Sequence, residues 1–226
     1  MASGCGFPHN HPMASDAVHL AWLALAWAGY GAVHSLLAAG GVKAWVATRV
    51  PRWVPAYRLL YNLLAVLALL PILVLLARQP GPWLWRWQGA LAWAMNGLAL
   101  VAAGLLVFGP GTYDLGEFLG LRQLRERRSG IEDQEPLRIS ALHRHVRHPW
   151  YALSLVLLWT RDMSTAMLVS ALAITAYFVA GSWLEERKLL ARFGPAYGQY
   201  MTKVPGLVPR PWRRLSREEA RFLEGR

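Results

Sequence analysis

Cysteine is almost missing from this chain. Cys5 stands alone among 226 residues, which excludes an intrachain disulfide framework and any zinc or redox site of the Cys-x-x-Cys kind. No metal site is expected. Charge is scarce as well: 16% of residues are charged, against roughly 25% in an ordinary soluble domain. Acid is in shortest supply, with 13 Asp+Glu facing 24 Lys+Arg and a formal net charge of +11. The apolar fraction is 55%, and 20 glycines come on top of it. Such hydrophobicity excludes disorder and argues against a soluble α/β enzyme. No G-x-G-x-x-G follows a strand, so a Rossmann-type pocket is not expected. There is no strict alternation of barrel strands and no internal repeat.

What the chain does have is five apolar blocks between charged loops, at 17–39, 59–77, 89–109, 150–160 and 164–184. Four of them reach about 19–23 residues, the length of a spanning helix. The fourth in order is too short to span alone as a straight helix. Arg161, Asp162 and Met163 separate it from the fifth, and the pair reads as a helical hairpin. The expected fold is an all-α polytopic membrane protein with five membrane-embedded helices.

Charge placement orients it. With the N-terminus outside and the C-terminus inside, the inner face collects Lys43, Arg49, Arg52 and Arg58 from the first connection. Seven Arg follow in the 110–149 loop and ten Lys+Arg in the tail from Glu185, while the outer face keeps Arg78, Arg86 and Arg161. That is a strong positive-inside pattern and it requires an odd number of spans. The basic excess is therefore a topology signal, and no nucleic-acid partner is expected. The inner membrane of a bacterium is the expected location.

The first sixteen residues carry no Lys or Arg, unlike a cleaved signal peptide. They read as a disordered leader (1–16) before an uncleaved first span, with Met13 a second candidate start and His9 and His11 as bystanders. At the other end, residues 210–226 read as a basic tail. Ser216-Arg217-Glu218-Glu219 fits a capping box, and Leu215, Phe222 and Leu223 fall on one helical face. That pattern suggests a short amphipathic helix on the inner membrane surface; a solvated tail is the plainer alternative.

Polar residues inside spans call for a functional reading. His34, Asn62 and Asn96 are the candidates. A pair of histidines on facing helices could ligate haem, but each span holds at most one deep His, so an interhelical hydrogen bond is favoured for His34. Pro71 reads as a kink.

The densest constellation flanks the hairpin. His143-Arg144-His145-Val146-Arg147-His148-Pro149-Trp150-Tyr151 precedes it; Glu185-Glu186-Arg187-Lys188, then Phe193-Gly194-Pro195-Ala196-Tyr197 and Tyr200 follow it. A hairpin returns both groups to one membrane face. Imidazoles, guanidiniums, two carboxylates and two tyrosines then meet beside an apolar wall. Gly194-Pro195 is a stop signal for the last helix.

These residues resemble the signature of the isoprenylcysteine carboxyl methyltransferase and phospholipid methyltransferase superfamily of integral membrane enzymes. Arg147, His148, Pro149 and Tyr151 match its Arg-His-Pro-x-Tyr. Glu185, Glu186 and Leu189 match Glu-Glu-x-x-Leu. Phe193, Gly194, Tyr197 and Tyr200 match the next element, followed by Val204, Pro205 and Pro209. Val33-His34-Ser35, Lys43 and Phe118-Leu119-Gly120-Leu121-Arg122-Gln123 look like the bacterial branch that includes methanethiol S-methyltransferases, with NnrU-type proteins more distant. Ala141, His143 and His145 depart from the glycine and aromatic residues common in relatives.

The resemblance implies a methyltransferase domain over residues 17–209 that takes S-adenosylmethionine from the cytoplasm and an acceptor from the membrane or a tunnel. By carry-over, His148, Pro149, Tyr151, Glu185, Glu186, Tyr197 and Tyr200 line or support the cofactor pocket. Glu185 or Glu186 is expected to pair with the cofactor's ammonium group. Arg147 is expected either at its carboxylate or at lipid headgroups. Methyl transfer rests mainly on alignment and on a dry pocket that strips water from the nucleophile. A thiol must also lose its proton, and Arg144 and His145, with His143, are the candidates to assist. The expected acceptor is a small or lipophilic thiol; a lipid amine or a carboxylate is the alternative, and a non-catalytic haem- or lipid-associated membrane protein is the other class.

Overall fold

A computed structural model of the protein describes residues 12–109, 115–128, 130 and 136–225. The fold is all-α. Helix α1 (Pro12–Ala38) leads into α2 (Gly40–Arg49), a 3-10 turn (Pro51–Ala56) and α3 (Tyr57–Arg78). Strand β1 (Trp83–Trp85), α4 (Gly89–Phe108), α5 (Leu115–Leu119) and α6 (Leu121–Arg125) follow. The last elements are α7 (Pro149–Trp159), β2 (Met163–Ser164), α8 (Thr165–Lys203) and α9 (Arg217–Leu223). The leader expected over 1–16 is helical from Pro12; Cys5, His9 and His11 lie outside the described residues. Where a simple loop was expected between the first two spans, α2 and the 3-10 turn are folded. Helix α3 runs through Pro71 as one element.

Four helical stretches are long and apolar enough to cross a bilayer, those at Asp16–Ala38, Pro51–Arg78, Gly89–Phe108 and Thr165–Lys203. Helix α7 has 11 residues, or about 16 Å at ~1.5 Å per residue, roughly half of a ~30 Å hydrocarbon core. The molecule is built inside out relative to a soluble protein. Trp93 is 82% exposed and Phe108 85%, and the exposed rows of α3 and α4 are Leu, Val and Trp. Many contacts between helices use small or polar residues, with Ala99, Ala102, Ala166, Ser170 and Ala171 buried, while Leu23 of α1 and Ile72 of α3 form a buried cluster with Ala166. Lipid offers no hydrophobic drive for helix pairing, so close approach and interhelical hydrogen bonds supply the attraction.

The two arms of the hairpin take different partners. Helix α7 lies mainly along α4, and α8 along α1, which also packs on α3. At the turn, β2 pairs antiparallel with β1. The N–H groups of Thr165 and Ala166 extend this seam to the Pro82 and Pro80 carbonyls at 3.0 and 3.2 Å. Ser164 caps α8 by accepting from the Met167 N–H. Gly81 makes the approach possible: its φ is +71°, and a Cβ there would sit 2.2 Å from the Thr165 hydroxyl. Asp162 closes the turn by accepting from the Trp87 N–H at 2.9 Å.

Helix α9 starts where the sequence places it, with the Ser216–Glu219 capping box formed in both directions. The apolar residues expected together on a membrane-facing side are divided instead. Leu215 and Ala220 are buried in a cluster with Ile139, Tyr197, Tyr200 and Val204, and Leu223 packs on it. Phe222 is 78% exposed. The cap fixes the helix phase so that Ala220 and Leu223, three apart, point inward. Phe222, two positions from Ala220, then lies on the other side at about 100° per residue.

Candidate active site

The site is laid out by two backbone hydrogen bonds. The Arg147 N–H donates to the Pro205 carbonyl at 2.8 Å and the His148 N–H to the Gly206 carbonyl at 3.0 Å. They tie the segment entering α7 to the segment leaving α8. Pro149 occupies the first turn of α7, where its missing N–H costs no bond. His148 is thereby held at the helix entrance and Tyr151 within the first turn. Glu185 and Glu186 arrive from α8.

Arg147 and Glu186 form the centre, each 12% exposed. Arg147 Nε and Nη2 both approach Glu186 Oε1 at 2.8 Å. Its Nη1 donates to the Met201 carbonyl at 3.0 Å and to the Val204 carbonyl. His148 Nε2 donates to the same Glu186 oxygen at 3.0 Å. One carboxylate thus gathers a guanidinium and an imidazole, and the guanidinium in turn fixes the end of α8. All three Arg147 nitrogens are engaged inside the chain, rather than at a lipid headgroup. Gly206 lies against this pair, where a Cβ would sit 3.4 Å from Arg147 Nη2 and 3.6 Å from Glu186 Oε1.

Glu185 has a different setting. It is 42% exposed, with Oε2 3.6 Å from His148 Nδ1, and the Tyr151 hydroxyl donates to the same oxygen at 3.2 Å. Tyr151 itself is sandwiched, with the His148 ring 5.5 Å away at 8° and the Phe178 ring 4.7 Å away at 11°. The sequence reading missed Phe178. It stands seven residues before Glu185, two helical turns up the same face of α8, and that spacing was a usable signal.

Tyr197 and Tyr200 sit in the buried cluster beneath, their rings 5.5 Å apart. Tyr200 donates its hydroxyl to the His143 carbonyl at 2.6 Å. They brace the loop before α7 from behind. The imidazole of His143 is 2.7 Å from Ser140 Oγ through Nδ1. Burial, followed by the neighbouring His148, pushes its pKa down to about 4, so the ring is neutral at pH 7.

Arg144 and His145 are not brought to Glu185 and Glu186. They line a separate cavity of about 500 Å³, with Arg214, Ser216, Arg217 and Glu219 around it and Leu215 at its floor. Among the polar residues of the spans, His34 does bridge helices: Nδ1 is 2.6 Å from the Tyr177 hydroxyl on α8 and Nε2 is 2.6 Å from the Tyr61 hydroxyl on α3. Asn62 donates to the Phe118 carbonyl at 2.9 Å, and Asn96 faces outward from α4.

Carboxylates and stacked rings beside an apolar wall suit a cationic organic ligand: the half-exposed Glu185 offers charge, and the ring faces offer cation–π attraction. No protein-family profile matches the chain, and no solved structure gives a significant match. Curated relatives do match. Methanethiol S-methyltransferase 2 of Bradyrhizobium diazoefficiens is 35% identical over 181 residues, covering 78% of this chain and 68% of the relative. The methanethiol S-methyltransferase of Mycobacterium tuberculosis is 32% identical over 191 residues, covering 80% and 74%. That of Crocosphaera subtropica is 31% identical over 190 residues, covering 78% and 69%. At 31–35% identity over about four-fifths of its length, and with two thirds or more of each relative covered, the chain belongs to the methanethiol S-methyltransferase family.

Proposed function

We propose that the protein transfers a methyl group from S-adenosylmethionine to a small or lipophilic thiol at the inner face of a bacterial cytoplasmic membrane. Five membrane-embedded helices carry the site, α7 being the short one, with the N-terminus outside and the C-terminus in the cytoplasm. The observation that carries the reading is the unequal pair of carboxylates. Glu186 is neutralised inside the fold by Arg147 and His148, which leaves Glu185 half exposed and oriented by Tyr151.

The cofactor fits these residues by charge and shape class. It supplies a methyl group on a sulfonium, and it carries an ammonium that a carboxylate can hold. Glu185 takes the ammonium in this reading, and the Tyr151 hydroxyl keeps the carboxylate aimed. The His148–Tyr151–Phe178 stack gives flat apolar faces against which a planar ring or a soft cation can lie. Arg147, Glu186, Tyr197 and Tyr200 are positioning residues that hold the two ends of the hairpin together. What the chain contributes is alignment and exclusion of water.

The acceptor assignment follows the relatives' names, and the proton has to be accounted for. A thiol reacts as its thiolate. An imidazole held down to about 4 is a poor acceptor for a proton from a group near ~8.5, so His143 is not the base. Arg144 and His145 belong to another cavity. In this reading the thiol gives its proton to water and enters as thiolate.

The test is calorimetry with S-adenosylhomocysteine on detergent-purified protein, together with headspace detection of dimethyl sulfide from methanethiol. Saturable binding that is lost in Glu185→Gln, and product formed by the wild type, are the expected results. A folded wild-type protein that binds no S-adenosylhomocysteine would sink the proposal.

A further inference from the structure

The cavity beside the tail has features that methyl transfer does not use. Three guanidinium side chains, Arg144, Arg214 and Arg217, line it together with His145. None of the three forms a salt bridge with a carboxylate among the described residues. The carboxylate that does line it, Glu219, is already taken. Lys203 Nζ lies 2.6 Å from its Oε1, and the Ser216 N–H donates to its Oε2 at 2.8 Å. Its pKa is held well below the usual carboxylate range, chiefly by the Lys203 hydrogen bond. The Ser216 hydroxyl accepts from the Glu219 N–H and keeps its own proton to donate. The result is a recess with three unpaired forks, an imidazole and a hydroxyl donor around a volume of about 500 Å³. Unpaired arginines converging on one space repel one another unless an anion joins them, and their planar forks match phosphate oxygens.

The surroundings say where that anion resides. Trp212 is 80% exposed, Phe222 78% and Val208 72%. All three lie beyond Lys203, where α8 ends. Large apolar side chains exposed in the same short stretch of chain as Arg214 and Arg217, after the last long apolar helix, are the pattern of a segment resting in the headgroup region. Trp in particular settles at that level. A free cytosolic anion would need no such exposed apolar side chains in the segment that binds it.

We propose that this cavity is a phosphate site for the headgroup of an anionic phospholipid, with Arg144, Arg214 and Arg217 on the phosphate and Trp212 and Phe222 seated in the bilayer surface. The site is distinct from the Glu185 cluster, and it anchors the tail that carries α9. Polybasic segments are drawn to anionic leaflets generally; the cavity adds a defined seat for one lipid.

Native mass spectrometry of the detergent-purified full chain tests it, with phosphatidylglycerol, phosphatidylcholine and inorganic phosphate as probes. One phosphatidylglycerol is expected to bind at least tenfold more tightly than phosphatidylcholine. Arg214→Gln/Arg217→Gln is expected to abolish that preference, and Arg221→Gln, one helical turn beyond Arg217 and outside the cavity lining, to keep it. Both variants are expected to retain S-adenosylhomocysteine affinity within twofold. Equal binding of the two lipids by the wild type would overturn the proposal whatever the variants do. So would inorganic phosphate bound as tightly as phosphatidylglycerol, which would mark a free-anion site. An equal loss of preference in Arg221→Gln would reduce the effect to diffuse charge. Loss of S-adenosylhomocysteine binding in the double variant alone would reassign the cavity to the cofactor. If the double variant does not fold, Arg217→Gln replaces it with the same expected direction.

Discussion

Glu185 and Glu186 are neighbours with different settings, because consecutive residues on a helix point about 100° apart. Glu186 is the buried partner of Arg147 and His148. Removing one member of a buried ionic cluster leaves the other charges unpaired, at a cost of roughly 3–5 kcal/mol. Glu186→Ala is therefore expected to lower the melting temperature in detergent sharply, and Arg147→Lys to do so in part because a point charge cannot replace the fork. Glu185→Gln is expected to melt like the wild type and to lose at least tenfold in S-adenosylhomocysteine affinity. The sequence offered both carboxylates as partners for an ammonium; which of them is already neutralised depends on helix phase against the Arg147 segment, and that is a tertiary fact. His143 makes a further prediction. Its folded pKa, lowered to about 4 by burial and then by His148, lies below the usual ~6.5 of an unfolded chain. The unfolded state thus takes up the proton first as pH falls, and stability present above pH 6.5 is lost on the way down to 4. The melting temperature is expected to drop over that window, and the drop to be smaller in His143→Leu. On the proposed reading, in which the acceptor enters as thiolate and gives its proton to water, kcat/KM for methanethiol is expected to rise with pH in a separate window, from 7 to 9. A bell centred near 7 would instead implicate a histidine.

At the scale of elements, Gly194 is the instructive case. Its φ of 55° and ψ of −133° interrupt α8, and the helix resumes at Pro195. The Gly-Pro stop read from the sequence is thus a bend, after which the chain carries Tyr197 and Tyr200 inward. A side chain at Gly194 has room, with nothing within 4 Å of an added Cβ; the objection is the backbone. Gly194→Ala is expected to cost about 1–3 kcal/mol and to weaken S-adenosylhomocysteine binding, both read in one melting and calorimetry series. Tyr200→Phe, which removes only the bond to the His143 carbonyl, is expected to cost about 1 kcal/mol. The four long spans were legible because lipid demands an unbroken apolar run, and hydropathy alone reports that. The β1–β2 seam was not. Three residues at Trp83–Trp85 and two at Met163–Ser164 carry no periodicity, and their pairing exists only because α7 and α8 return to the Pro80–Trp87 loop. The split of the apolar residues around α9 was not legible for a related reason: the pattern groups Leu215, Phe222 and Leu223 toward the membrane, whereas the cap at Ser216 sets a phase that turns Leu223 inward and leaves Phe222 exposed.

For the whole molecule, orientation is the property read from charge alone. Cys5 is the single cysteine and makes a natural reporter. A membrane-impermeant maleimide is expected to label Cys5 in intact spheroplasts, and to label Glu218→Cys, made in a Cys5→Ser background, only after lysis. The reverse pattern would overturn the proposed topology and move the Glu185 site to the outer face. The two backbone bonds from Arg147 and His148 to Pro205 and Gly206 also govern when the molecule becomes itself. The residues that receive those bonds, like Val204 beside them, follow the last of the apolar helices long enough to cross a bilayer. A released chain truncated after Lys203 has all four of those helical stretches, yet its Arg147 lacks the Val204 and Pro205 carbonyls and its His148 the Gly206 carbonyl. Crossing the membrane and closing the site thus draw on different stretches of one polypeptide, the apolar helices for the first and a few residues past Lys203 for the second.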